Sequence, residues 1–152
     1  MAADSAEQER ARQALLRAKT ASQKEIDAIF AVQPLRLDFL RERLTDFVLA
    51  KFMLTREEAE GVDFQKLSQL SLAKSMKISK ELVKEFDMAQ GCAGTSSEIA
   101  KKTLLFMAIQ KQLKLELPAE ALPRLHSFQA LAELVFSAMR ETPFWDGRLS
   151  EE

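Results

Sequence analysis

Apolar residues recur at three- and four-residue steps through most of this chain, the spacing of one face of an α-helix. Between residues 37 and 53, Phe39, Leu40, Leu44, Phe47, Val48, Leu49 and Phe52 follow that spacing and predict a helix. Pro34 closes the segment before it, because the residue preceding a proline disfavours helix. Residues 4–32 carry a thinner stripe of Leu15, Leu16, Ala18, Ile26, Ile29 and Phe30, densest at its end, between balanced acids and bases. Asp4 and Glu7 read as caps at its start. Ser22 with Glu25 reads as a second capping box, where the helix is expected to break and restart. This segment is expected to be either a loosely docked helix or a partner-binding arm, with a solvated helix favoured.

Further along, Thr55 and Glu58 form a capping box before a short helix, and Gly61-Val62-Asp63 reads as a turn. Phe64, Leu67, Leu70 and Leu72 punctuate a loop with a helical turn. Ser79 caps a helix over about 80–89, with Leu82, Val83, Phe86 and Met88 apolar. Gly91-Cys92-Ala93-Gly94 is then a small-residue loop. Thr95, followed three residues later by Glu98, opens the most apolar helix of the chain, which runs to about Leu113. From Thr103 to Ile109 nearly every side chain is apolar, the pattern of a central helix covered on several sides. Leu113, Leu115, Leu117 and Pro118 make an alternating exit. Ser127 caps a last helix whose Phe128, Leu131, Val135 and Met139 share one face, and a polar tail from Pro143 is expected to fray.

Composition narrows this pattern to an all-α fold. Four glycines and four prolines in 152 residues leave few turns. A formal net charge of −1 gives no general reason to expect nucleic acid as a partner. No apolar run is long enough to span a bilayer. The single cysteine excludes an internal disulfide and fits a reducing compartment, and the N-terminus lacks the basic segment and apolar core of a signal peptide. A cytoplasmic protein is expected.

Catalytic constellations are thin. His126 is the one histidine and makes no zinc site without partners. No glycine-rich nucleotide-binding motif occurs. Cys92 lies just before a helix start, where a thiol pKa falls, but no base is near it in sequence. No enzymatic activity is expected of the chain itself. The helix start at Gly94–Ser97 is the most suggestive place: its free amides and dipole attract an anion such as a phosphate, and Lys101 and Lys102 follow one turn in.

The segment from Leu105 through Gln110 to Leu117-Pro118 resembles the long second helix and apolar exit of acyl carrier proteins. Leu125-His126-Ser127-Phe128 through Val135 resembles their final helix, and Leu40 to Phe64, with Phe47 and Leu54-Thr55-Arg56-Glu57-Glu58, resembles their first helix and following loop. The resemblance covers most of residues 37–140. It implies an acyl-carrier-like four-helix bundle over 34–142, with an N-terminal helical extension at 1–33, an insertion before the long central helix at about 73–91, and a tail at 143–152. It also implies a 4′-phosphopantetheine arm on a serine at the start of the second helix, carrying a thioester-linked acyl group to acyl-processing or acyl-transfer enzymes of fatty acid or polyketide biosynthesis.

By position, Ser97 is the first candidate for the arm and Ser96 the second, with Thr95 and Gly94 beside them. The family's Asp-Ser-Leu signature is replaced here by Thr95-Ser96-Ser97-Glu98, and counting back from Pro118 at the family spacing reaches Ile99. A rival alignment from Phe64 puts Ser71-Leu72 at the attachment point. Lys101, Lys102, Lys111 and Lys114 make the helix basic where carriers are acidic, so Lys101 and Lys102 are expected to meet partners of altered charge. The alternative reading is an unmodified all-helical protein–protein interaction module that retains a carrier-like fold.

Overall fold

A computed structural model of the protein describes residues 2–62, 66, 67, 69–71 and 98–150. Its long helices are α1 (Ala2–Ala31), α2 (Leu37–Phe52), α4 (Glu98–Leu113) and α5 (Phe128–Arg140). A short α3 (Arg56–Ala59) and two 3₁₀ helices, Ala119–Arg124 and Pro143–Trp145, are further elements among the described residues, and residues 66, 67 and 69–71 are also helical. The described residues contain no strand, only one parallel bridge between Leu35 and Leu149, so the fold is all-α. The helix expected over 80–89 lies outside the described residues.

α1 and α2 pack side by side and antiparallel, joined by a tight connection through Pro34. Ile26 and Ile29 of α1 are fully buried against α2 and belong to the same core as Leu40, Leu44, Phe47, Val48, Leu131 and Val135. The end of the extension is therefore a core element rather than a solvated arm. α1 also runs unbroken through Ser22, against the expected restart. Ser22 Oγ donates to the Lys19 carbonyl at 2.8 Å, the back-bonding a mid-helix serine adopts, and Glu25 is drawn to Arg43 at 2.8 Å instead of capping. Both halves of the apparent capping box are used by other contacts.

α1 begins at Ala2, ahead of the start expected at Asp4, and the caps expected at Ser79 and Thr95 lie outside the described residues, while those at Thr55 and Ser127 form as the pattern predicts. Thr55 Oγ accepts from the Glu58 amide at 3.2 Å while Glu58 accepts from the Thr55 amide at 3.0 Å. Ser127 Oγ accepts from the Ala130 amide at 3.0 Å, and α5 then buries Leu131, Ala132, Val135, Phe136 and Met139.

α4 runs antiparallel to α2. Lys101 near its start lies over the Phe52 ring at the end of α2, and its last residue, Leu113, meets the tail beside α1. That tail does not fray. Trp145 is 1 % exposed, stacks on Phe30 with centroids 5.1 Å apart, and donates from Nε1 to the Leu113 carbonyl at 2.8 Å. Leu35 then exchanges hydrogen bonds with Arg148 and Ser150, at 2.8 and 2.7 Å. One aromatic residue in a polar stretch is a weak sequence signal, yet a ring this large with a satisfied N–H anchors a chain end.

Trp145→Ala is expected to lower the unfolding free energy by about 3–5 kcal/mol. Trp145→Phe keeps most of the ring and loses the N–H to Leu113, so about 1–2 kcal/mol is expected. Urea unfolding followed by far-ultraviolet circular dichroism separates the two, and equal losses would show that the hydrogen bond contributes nothing.

Candidate functional site

Two of the sequence candidates, Ser71 and Lys101, lie at the end of α2. Met53 takes a left-handed conformation, φ 59°, and its amide and that of Leu54 return to the Ala50 and Leu49 carbonyls, the geometry that closes a helix. The Phe52 carbonyl is one of the last-turn acceptors with no partner inside the helix. Ser71 Oγ donates to it at 3.0 Å, and Ser71 is 2 % exposed. Its hydroxyl is thus enclosed and engaged, whereas a serine that receives a prosthetic arm must present its hydroxyl to a transferase. The structure gives Ser71 a capping role at the end of α2.

Gly94, Thr95, Ser96 and Ser97 lie outside the described residues, as does Cys92. The first described residue after them, Glu98, is already helical, and α4 is continuous from there. The two lysines expected to meet a partner are both half-buried. Lys101 Nζ sits 6.0 Å from the Phe52 ring centroid. Lys102 Nζ donates to the Leu125 carbonyl at 3.3 Å, tying α4 to the start of the last turn before α5. They serve the fold before they serve a partner.

The exposed strip of α4 lies elsewhere. Leu105, Phe106, Ile109 and Leu113 are buried, but Met107 is 53 % exposed, and Lys111, one turn on, is exposed as well, while Lys114, past the helix end, lies over the Phe144 ring. The helix is therefore not covered all round: Met107 and Lys111 face out. Sequence periodicity could not find Met107, because a run apolar on every side hides which side is open.

Beyond this strip the exit is stapled back onto α4. The Leu115 amide donates to the Gln110 carbonyl at 3.2 Å, and the Leu117 amide to Gln110 Oε1 at 2.8 Å. Leu113, Leu115 and Leu117 alternate inward. An open groove of about 690 Å³ runs between this exit and the end of α5, with Gln110, Lys114, Glu116, Pro118 and Glu141 among its walls.

On the other side of α2 a chain of ion pairs fixes its neighbours. Arg56 reaches Asp46 and Glu42, each at 2.8 Å, and Arg43 reaches Glu25 and Asp46 at 2.8 and 3.3 Å. At the far end of α2, burial first and then the nearby charge of Lys19 hold the half-buried Lys51 ammonium below the usual lysine range. His126 is exposed. Among the described residues no cluster of three or more histidine, cysteine, aspartate or glutamate side chains could hold a metal ion. No helix among them is long and apolar enough to cross a membrane.

The class that fold and site define is an all-α protein whose long helix opens beside the end of α2 and closes in a stapled apolar exit. No family model, curated protein or solved structure matches the chain.

Two measurements follow from the α2 end. Ser71→Ala leaves the Phe52 carbonyl enclosed without its donor and is expected to cost about 1–3 kcal/mol in chemical unfolding. Lys51→Met removes a charge that folding disfavours, so it is expected to raise stability at neutral pH. Because the folded state lowers the Lys51 pKa, the unfolded chain holds that proton to higher pH. The wild type therefore gains stability as pH rises through the interval between the two values, and the gap to Lys51→Met closes there. A gap constant with pH would show that packing, not charge, separates the two proteins.

Proposed function

We propose that the chain is an acyl-carrier-like protein, which holds a thioester-linked acyl group on a phosphopantetheine arm and presents it to acyl-processing or acyl-transfer enzymes. The observation that carries the reading is one continuous arrangement. A long helix, α4, ends in an apolar exit fastened by Gln110 and closed by Pro118; a 3₁₀ turn follows, and then a Ser127-capped helix packs on α2. The resemblance in sequence implies the same order, with α2, α4, the 3₁₀ helix at Ala119–Arg124 and α5 as the four helices of a carrier bundle. α1 is then the N-terminal extension, and residues 72–97 contain the insertion.

On this reading the arm is joined to Ser97 or, second, Ser96, next to Thr95 and Gly94, because the enclosed hydroxyl of Ser71 disfavours the rival alignment. The start of a helix suits the phosphodiester, since its amides and dipole favour negative charge. The terminal thiol of the arm supplies the thioester chemistry. The chain's own residues position the arm and present a docking face, so the protein is a carrier and not an enzyme. That face is the exposed side of α4 at Met107 and Lys111, whose cation favours partners with acidic surfaces. The cytoplasm, where the enzymes of fatty acid and polyketide assembly work, is the fitting location.

Incubation of the purified chain with coenzyme A and a broad-specificity phosphopantetheinyl transferase tests the reading by intact mass and peptide mapping. One added arm is expected, on the peptide holding Ser96 and Ser97, abolished by Ser97→Ala or moved to Ser96. No addition, while an authentic carrier is modified in the same tube, would leave an unmodified helical interaction module.

A further inference from the structure

The Phe144 ring joins the aromatic cluster of Phe30 and Trp145 yet stays 36 % exposed. Two cations share it. Lys114 Nζ lies 4.7 Å from its centroid and the Arg148 guanidinium carbon lies 4.6 Å from it. One ring thus brings like charges together from the end of α4 and from the tail. Neither charge is matched: Lys114 and Arg148 form no ion pair with any described acid, their sequence neighbours Glu116 and Asp146 included.

The backbone fixes where both side chains start. Lys114 closes α4 with φ 55°, a left-handed conformation that suits glycine better than lysine. The Arg148 amide donates to the Trp145 carbonyl at 3.0 Å, and its carbonyl accepts from the Leu35 amide at 2.8 Å. Ordering a long cationic side chain normally opposes binding, and here the ring has already ordered two. A cation on an exposed ring gains less than one hydrogen-bonded to a carboxylate, so an incoming carboxylate draws either of them to itself.

Beside the ring an open groove of about 490 Å³ lies between the end of α1 and the end of α4. Ile26, Phe30 and Phe144 give it apolar walls. Asp27, the one acid that lines it, accepts from Gln23 at 3.0 Å. Lys114 lines this groove and also the larger one under the α4 exit, so it stands where the two meet.

We propose that this corner docks an acidic segment of a partner protein, which sets an apolar side chain in the groove and carboxylates on Lys114 and Arg148. A bare inorganic anion would leave the apolar walls uncovered. A wholly apolar segment would cover two cations without pairing them, which costs their hydration. A segment with both kinds of side chain satisfies walls and cations together. The site lies at the last turn of α4 and needs no prosthetic arm, so it and the carrier reading stand or fall separately.

The test selects a phage-displayed library of random peptides on the immobilised full chain. Synthetic copies of the selected peptides are then titrated against the indole N–H resonance of Trp145, the one tryptophan of the chain. Peptides that join two or more aspartates or glutamates to a bulky apolar residue are expected to be enriched and to move that resonance. Lys114→Gln and Arg148→Gln are each expected to weaken them about tenfold, the loss of one charge-assisted contact. Arg12→Gln, exposed on α1 about three turns from the groove, is expected to bind as the wild type does. Lys114→Gly removes the same charge at a backbone conformation that suits glycine. It is expected to melt close to the wild type while binding as weakly as Lys114→Gln; a lysine that served stability alone would melt lower and bind unchanged. Enrichment of no peptide, of uncharged or basic peptides, or of acidic peptides that bind both glutamine variants as the wild type would overturn the proposal. So would a concentration-dependent dimer in analytical ultracentrifugation that Lys114→Gln abolishes, since the face would then belong to a second copy of the chain.

Discussion

The Trp145 indole ties together the end of α1, the end of α4 and the connection before α2. Its ring lies on Phe30 at the end of α1, its N–H closes the last carbonyl of α4, and the residues after it pair with Leu35 between α1 and α2. Phe144 meets both rings edge-on, at 5.9 Å from Phe30 and 5.3 Å from Trp145, and is flanked by Lys114 and Arg148 at 4.7 and 4.6 Å. An aromatic cluster of this kind adds geometry to simple burial, because edge-on and offset rings prefer particular angles. The direction of α4 depends on it. With Leu113 fixed at one end of α2, the start of α4 is carried to the other end, beside Phe52.

The two ends of the bundle therefore do different work. The Trp145 end is closed by apolar and aromatic contacts. The Phe52 end carries polar groups: the Ser71 hydroxyl on a helix carbonyl, Lys51 over the Phe47 ring and Lys101 over the Phe52 ring. The proposed arm falls at that end, where α4 begins.

Much of the fold was legible in sequence because it depends on local rules. The span of α2, the Thr55–Glu58 box, the Ser127 cap and the inward alternation of Leu113, Leu115 and Leu117 all follow from spacing and side-chain chemistry within a few residues. The local rules failed where a distant residue competed. Ser22 and Glu25 have the letters of a capping box, but burial of Ser22 against α2 and the pull of Arg43 kept the helix whole. The polar tail reads as frayed because nothing near Trp145 in sequence reveals Phe30 or the Leu113 carbonyl. Of the site residues, Ser71 could be judged only from its enclosure, and Gly94 to Ser97 lie outside the described residues.

By itself the sequence determined that the chain is helical, where most of its described helices start and stop, and which residues are apolar enough to form a core. Periodicity and capping are short-range, so one strand of letters carries them. The tertiary structure decided which face of α4 stays open at Met107, that the end of α1 is core, that Lys102 is tied to Leu125, and that Lys19 and Lys51 come together. Each of these depends on two segments far apart in the chain meeting at a set register, and the register is fixed only when the Glu25–Arg43 pair and the Trp145 cluster form at once.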